Sequence, residues 1–370
     1  MKLTLQIKLL PGKQQSKSLL QTIKECNTIC NEISNIAWEK KTFNQFKLHN
    51  LVYHPLKQSS NLAAQALVRC VSKVSDAYKL DKKKKRQFKP LGAITYDTRI
   101  LSYSKKDQEI SIWSVVGRLK IPFVCHNPKY LPYIKGEADL IYKNGKFFLF
   151  QTIEVPEDDI DDVEEFIGID FGVNQIATLS NGTQFGSESL NKVRDKYFKV
   201  RRSVQSKGTR GCKILLKRLK GKERRHATII NHAIAKQVVK QAKSLDKGIA
   251  IEDLTHIRER TTVRKAQRRK HHSWAFAQLR SFLTYKSLLA GVPLVAVNPQ
   301  YTSQTCNACK TIGNRNGKNF SCLSCGNMAD ADINAAKNIA QLGAFCKQSR
   351  KDVSMLDFVS HIPLKALSNL

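Results

Sequence analysis

The opening residues MKLTLQIKLL alternate polar and apolar, the period-two pattern of a β-strand over residues 2–9. The spacing then changes. Leu19, Leu20, Ile23, Cys26, Cys30, Ile33 and Ile36 recur at threes and fours, and Leu62, Ala63, Ala66, Leu67 and Cys70 resume the pattern, which predicts a helical block over 15–80. It closes in DKKKKRQFKP (81–90), five lysines and one arginine ending on Pro90, which reads as an exposed basic loop. From Ala93 to Val155 short alternating runs follow (ITYDT, RILSYS, EISIWSV, GRLKIPF, EADLIYK, GKFFLFQTIEV), separated by turns such as KNGK. Antiparallel strands in this number suit a small barrel. Adding strand 2–9 to it makes the helical block an insertion between strands.

Beyond the acidic run EVPEDDIDDVEE (154–165), FIGIDFGVNQIATLSNGTQFGS (166–187) reads as three strands with tight turns. A two-helix arm is predicted next. Residues 194–225 hold fourteen Lys/Arg and two acids around an apolar stripe of Val200, Val204, Leu215, Leu216 and Leu219, and HATIINHAIAKQVVKQAKSL continues as a second amphipathic helix. GIAIEDL (248–254) is a short buried strand, SWAFAQLRSFLTYKSLLAG (273–291) a helix ending at Gly291, VPLVAVN (292–298) a strand, and DINAAKNIAQLGAF (332–345) a helix with Asp332 at or near its N-cap. Three strands, helices, strand, helix, strand, insertion and helix is the element order of the ribonuclease H-like fold. The expected class is α/β and multidomain.

Composition sharpens the choice of partner. Sixty-three Lys+Arg against 30 Asp+Glu give a net charge of +33, and eight of the acids sit in 154–165, leaving the remainder more basic still. A polyanion, nucleic acid first, is the implied partner. The acidic run reads as a solvated linker, because no strand or helix is there to fix its carboxylates. The basic loop 81–90, the arm 194–225 and HIRERTTVRKAQRRKHH (256–272), with seven Lys/Arg, are the candidate phosphate contacts. Trp274 and Phe276 read as core anchors. No run of about 18 apolar residues occurs and the first strand lacks a signal-peptide core, so neither membrane insertion nor secretion is expected. Cys26, Cys30, Cys70, Cys125, Cys212 and Cys346 are scattered without framework spacing. Such thiols fit a reducing compartment, the cytoplasm, with nucleoid association in a prokaryote.

The remaining four cysteines are patterned. Cys306/Cys309 and Cys322/Cys325 form two CxxC pairs, able to give four thiolates to one tetrahedral zinc ion with no coordination position left open. That makes the zinc structural. The twelve-residue spacer between the pairs is short beside the commoner ~15–20. The chemistry then falls to carboxylates. In the fold order above, Asp170 at the end of the first nuclease strand, Glu252 at the end of the fourth and Asp332 at the start of the last helix converge. Three gathered carboxylates need cations to stay ionised, and two magnesium ions about 3.5–4 Å apart, serving in-line phosphodiester hydrolysis, are the usual solution. Asp253 and Asp330 are rival ligands. Alternation along IAIED puts Glu252 and Asp253 on opposite faces without saying which face is active.

At these residues the chain resembles a known family. GIDFGVNQIATLS, IAIEDLT, SWAFAQLRSFLTYKSLLAGVPLVAVNPQYTSQTCNACK, the second CxxC and DADINAAKNIA are similar to the RuvC and zinc-ribbon motifs of TnpB proteins, transposon-encoded RNA-guided nucleases. The resemblance is strong in the C-terminal half, moderate at GRLKIPF and GKFFLF, and general in the helical block. It implies that Asp170, Glu252 and Asp332 are the catalytic magnesium ligands and that Cys306, Cys309, Cys322 and Cys325 hold zinc. It further implies a wedge-type β-barrel (1–15 and 91–155) with an inserted helical recognition domain (16–90), an acidic linker (156–165), a RuvC-like nuclease domain (166–302 and 328–350), an inserted zinc ribbon (303–327) and a tail (351–370). Guide RNA and target DNA are the implied partners of an RNA-guided DNA endonuclease of a mobile element. A separately encoded transposase is a further implied partner, and two other readings stand beside this one: a transposase or accessory protein of DNA recombination, and a guide-directed DNA-binding protein that has lost cleavage.

Overall fold

A computed structural model describes residues 1–104, 108–254 and 276–349. The basic stretch 256–272, Trp274 and the tail 351–370 lie outside the described residues. The chain divides into two compact units at Pro156/Glu157.

In the first unit, β1 (Lys2–Leu9) leads into α1 (Lys13–Glu39), α2 (Gln45–Ser59) and α3 (Ala64–Leu80), and six strands follow: β2 (Ile94–Tyr96), β3 (Leu101–Ser104), β4 (Glu109–Ser114), β5 (Gly117–Cys125), β6 (Ile134–Lys143) and β7 (Lys146–Glu154). They form one antiparallel sheet in the order β2-β6-β7-β1-β5-β4-β3. The first strand is central, paired with β7 from Lys2↔Glu154 to Leu9↔Phe147 and with β5 on its other side, so the three helices are an insertion between barrel strands. Its end strands β2 and β3 are sequence neighbours, and the Tyr96 hydroxyl donates to the Trp113 carbonyl at 3.0 Å, which nearly closes the barrel. Alternation fills the interior: Leu5, Ile7, Leu9, Ile110, Ile112, Phe147, Leu149 and Ile153 are buried. Lys82–Lys85 are exposed, while Ser34 and Asn31 on α1 hold the backbone of Arg86 and Phe88 at 2.7–3.0 Å.

The second unit carries β8 (Phe166–Asp170), β9 (Gln175–Leu179), β10 (Gln184–Gly186), α4 (Glu188–Lys207), α5 (Arg210–Leu219), α6 (Lys222–Ser244), β11 (Gly248–Glu252), α7 (Phe276–Leu289) and β12 (Leu294–Val297). A small sheet of β13 (Asn314–Asn316), β14 (Asn319–Ser321) and β15 (Met328–Asp330) precedes α8 (Ala331–Ser349). The main sheet runs β10-β9-β8-β11-β12, with β8, β11 and β12 parallel and β9 and β10 antiparallel. Ile167, Ile169, Ile249 and Ile251 pack with residues of α6 and α7, such as Val238 and Leu283, whereas Phe166 and Ala250 pack with Ile339 and Leu342 of α8. Odd positions thus face one helical layer and even positions the other. Gly168 is where α8 comes closest: a Cβ there would stand 1.9 Å from the Ala336 carbonyl oxygen. Among the described residues, no helix is long and apolar enough to cross a membrane.

Three expectations need revision. The two-helix arm is three helices, because Gly208 (φ 64°) and Gly221 (φ 78°) adopt left-handed conformations that end one helix before the next begins. The cysteine module's sheet extends to Asp330, since β15 pairs with β14 through Asn319↔Asp330, three residues beyond the expected boundary at 327. The acidic run is anchored. Lysines from two places in the chain meet it, Lys243 at Asp161 (2.7 Å) and Lys247 at Glu165 (2.5 Å) from the end of α6 and just beyond, and Lys347 of α8 at Asp162, and the Asp161 amide donates to the Gly291 carbonyl at 2.8 Å.

Candidate functional site

Strand register decides where the carboxylates point. β8 and β11 pair in parallel through Ile169↔Ile251, so the next residues on each, Asp170 and Glu252, are neighbours at the C-terminal ends of adjacent strands. Both occupy even positions and therefore share the face on which α8 lies. Asp332 stands in the first turn of that helix. Its neighbour Asp330 is the cap: Asp330 Oδ1 accepts from the Asp332 amide (2.9 Å) and the Ile333 amide (3.1 Å), leaving the Asp332 carboxylate to other partners. Asp253 turns the other way, paired with Arg280 of α7 at 2.5 Å. The structure thus brings Asp170, Glu252 and Asp332 to one face and turns Asp253 away from it, whereas Asp330 caps α8 and still lies near enough for its charge to raise the Asp170 carboxyl.

Burial without matched cations shows in the protonation of these groups. Desolvation first, then the charges of Glu252 and Asp332, push the Asp170 carboxyl up to about 8, and the Arg315 guanidinium opposes the rise. Glu252 is pushed up to about 7 by burial, against the pull of the Thr302 hydroxyl and Arg315. Burial thus disfavours the ionised form of both carboxyls, and for Asp170 the charge of Glu252 adds to the effect; added positive charge would favour ionisation. A donor set of this kind, hard oxygens on adjacent strand ends and a helix start, suits a divalent hard cation such as magnesium.

Two residues of the site left no signal in sequence patterning. Arg315, on β13, places Nη2 2.9 Å from Asp332 Oδ1. Thr302, buried, donates its hydroxyl to Glu252 Oε1 at 2.7 Å. Arg315 reaches its partner across a hairpin and Thr302 reaches back 50 residues, contacts that no local periodicity encodes.

The four cysteines gather separately. Sγ atoms of Cys306, Cys309, Cys322 and Cys325 all lie within 4.8 Å of one another. Each pair sits on a tight turn: the Lys310 amide donates to the Cys306 carbonyl and the Gly326 amide to the Cys322 carbonyl, both at 3.0 Å. Lys310 (φ 64°) and Gly326 (φ 73°) take the left-handed conformation that turns the chain after each second cysteine. The Thr311 hydroxyl is the main influence holding the Cys322 thiol down at about 6, in the range where a thiolate forms readily. This set of four sulfurs fits tetrahedral zinc. Among the described residues no set of three carboxylates is gathered as tightly.

The model of the Cas12f1-like, TNB domain family matches residues 276–339, a span that includes the four cysteines, Arg315 and Asp332. Over 114 residues the chain is 40% identical to a CRISPR-associated endodeoxyribonuclease Cas12f1 from Sulfoacidibacillus thermotolerans, covering 30% of this chain and 26% of that protein. It is 30% identical over 162 residues to a TnpB-like protein of Methanocaldococcus jannaschii, covering 42% of this chain and 58% of that one. A TnpB-like protein of Acanthamoeba polyphaga mimivirus is 23% identical over 290 residues, covering 68% and 56% respectively. In each comparison the chain spans less than two thirds of the relative's own length.

Proposed function

We propose, from the premise that this chain is a relative of the TnpB-like and Cas12f proteins, that it is an RNA-guided, magnesium-dependent DNA endonuclease with a ribonuclease H-like (RuvC) site. The observation that carries the reading is the parallel register Ile169↔Ile251, which leaves Asp170 and Glu252 as neighbouring strand ends on the face where α8 lies. The names of the relatives, an endodeoxyribonuclease among them, supply the reaction class.

Asp170, Glu252 and Asp332 are the residues that would hold magnesium, which when bound supplies the Lewis acidity for phosphodiester hydrolysis. The chain's own contribution is placement. Adjacent strand ends fix Asp170 and Glu252 side by side, α8 carries Asp332 to them, and Arg315 balances charge at Asp332. To hold a divalent cation the pushed-up carboxyls of Asp170 and Glu252 would have to give up their protons, so cleavage should depend on both pH and divalent-ion concentration. Cys306, Cys309, Cys322 and Cys325 would hold a structural zinc that braces the ribbon carrying Arg315.

The partners follow from charge. The helices α4 to α6 and the exposed Lys82–Lys85 would track the phosphate backbones of guide RNA and target DNA, positioning the polymers while base pairing reads the sequence. Asp170→Ala tests the site: it should abolish cleavage while RNA binding stays within about twofold of the parent. Persistent cutting would sink the assignment. Sequencing the RNA that copurifies tests the guide, one discrete species being the expected result and a random mixture the contrary one.

A further inference from the structure

Between the four-cysteine site and the carboxylates runs a short length of backbone held from one side. Thr302 stands at one end and Cys306 near the other. Asn334 and Asn338, one turn apart on α8 and fully buried, grip it: Asn338 Nδ2 donates to the Thr302 carbonyl (2.9 Å) and the Thr305 carbonyl (2.6 Å), and Asn334 Nδ2 donates to the Thr305 carbonyl (2.8 Å). The Asn307 amide donates back to Asn334 Oδ1 at 2.9 Å. Asn338 spends both donor hydrogens on carbonyls and leaves its own buried Oδ1 without a partner among the described atoms. Burying an unpaired acceptor is costly, so the amide is kept there for what it donates.

The grip ends at the site. The Thr302 hydroxyl has one proton and two acceptors in reach, Glu252 Oε1 at 2.7 Å and the Pro299 carbonyl at 3.0 Å. Of these the carboxylate, once ionised, is the stronger acceptor. A bond to one oxygen removes the freedom of the Glu252 carboxyl to rotate about its terminal torsion. With Thr302 1% exposed, no water can stand in for the hydroxyl without opening the packing.

We propose that Thr302 is a positioning residue for Glu252, and that the four-cysteine module acts on the divalent-cation site through it, with residues 302–306 as the link and Asn338 as its clamp. The inference rests on the reading of Glu252 as a cation-holding carboxylate. Zinc loading then governs how well the carboxylates hold their own cation, although no cysteine touches them.

The test uses the full chain with its copurified RNA and titrates Mn²⁺ as a spectroscopically visible stand-in for magnesium, reading free Mn²⁺ by electron paramagnetic resonance. Thr302→Val keeps the shape and removes the proton. It should weaken Mn²⁺ binding about tenfold and raise the magnesium needed for half-maximal cleavage by a similar factor, the scale usual for outer partners of metal ligands. RNA binding should not move, and Thr302→Ser should restore most of the lost affinity. Asn338→Ala reaches the same link from the helix and should shift Mn²⁺ affinity in the same direction, so the test stands even if Thr302→Val does not fold. Zinc-selective chelation should reproduce the shift. Mn²⁺ affinity within twofold of the parent in both variants, with Asp170→Ala losing Mn²⁺, overturns the positioning role alone. Retention of Mn²⁺ by Asp170→Ala overturns the site reading beneath it.

Discussion

Gly168→Ala offers a sharp test of how the carboxylate site is built. The new Cβ would lie 1.9 Å from the Ala336 carbonyl oxygen and 2.4 Å from the Ala340 amide nitrogen, both backbone atoms of α8 that cannot rotate aside. A separation near 3.0 Å is the least a real Cβ tolerates, so the helix must retreat from β8 by at least about 1 Å. The cost has two parts. Overpacking a close contact costs about 1–3 kcal/mol, and the retreat loosens Ala335, Ala336, Ile339 and Leu342, all fully buried, where burial is worth about 1.5–3 kcal/mol per large side chain. A loss of about 3–5 kcal/mol is expected, read as a lower urea midpoint with an unchanged slope. Activity should fall further than stability explains, because α8 carries Asp332 and a displacement near 1 Å can cost about 100-fold in rate. Gly211→Ala on α5 is the control: no atom lies within 4 Å of its Cβ, so it should be neutral or slightly stabilising. Gly168→Ala within 1 kcal/mol of the parent and cutting normally would refute the packing argument.

Three further outcomes follow from the same geometry. Asp253→Asn should leave cleavage within about threefold of the parent, since this acid faces Arg280 rather than the site, and a loss comparable to that of Asp170→Ala would reverse the face assignment. In magnesium-free buffer, Asp170 has a folded-state value near 8 against an ordinary 3.8, so its contribution to stability is present below pH 4 and is lost as pH rises through about 8. Asp170→Asn should therefore be more stable than the parent at pH 8 and lose most of that advantage by pH 5, and parallel urea midpoints across this range would count against the burial argument. Elemental analysis should find one zinc per chain, with Cys322→Ser losing it and melting the ribbon at lower temperature; full retention of zinc by that variant would dismiss the four-sulfur site.

How much of this was legible in the sequence differs from element to element. The strands at 166–187, the buried GIAIE run and the last helix announce themselves by periodicity and by end signals, and they stand close to where the pattern puts them. Which side of the IAIED strand carries the site was not readable, because alternation is symmetric; only the pairing with β8 and the burial of Ala250 against α8 break that symmetry. Gly208 and Gly221 were visible as residues but not as breaks, since the long amphipathic stripe masked two positions that needed left-handed backbone. The acidic run failed for a different reason. Its partners, Lys243, Lys247 and Lys347, lie about 80 to 185 residues further along the chain, and a local reading cannot supply them. Arg315 and Thr302 share that cause.

The spacing of the three carboxylates along the chain also sets the order in which a nascent molecule can bring them together. Asp170 and Glu252 can meet once β11 has been made, but Asp332 arrives only with α8, after the cysteine hairpins have been synthesised. On the reading proposed above, a polypeptide ended before α8 would keep the basic helices α4 to α6 and yet lack the third acid. Assembly of the three-carboxylate set would then wait on synthesis of the segment that carries the four cysteines.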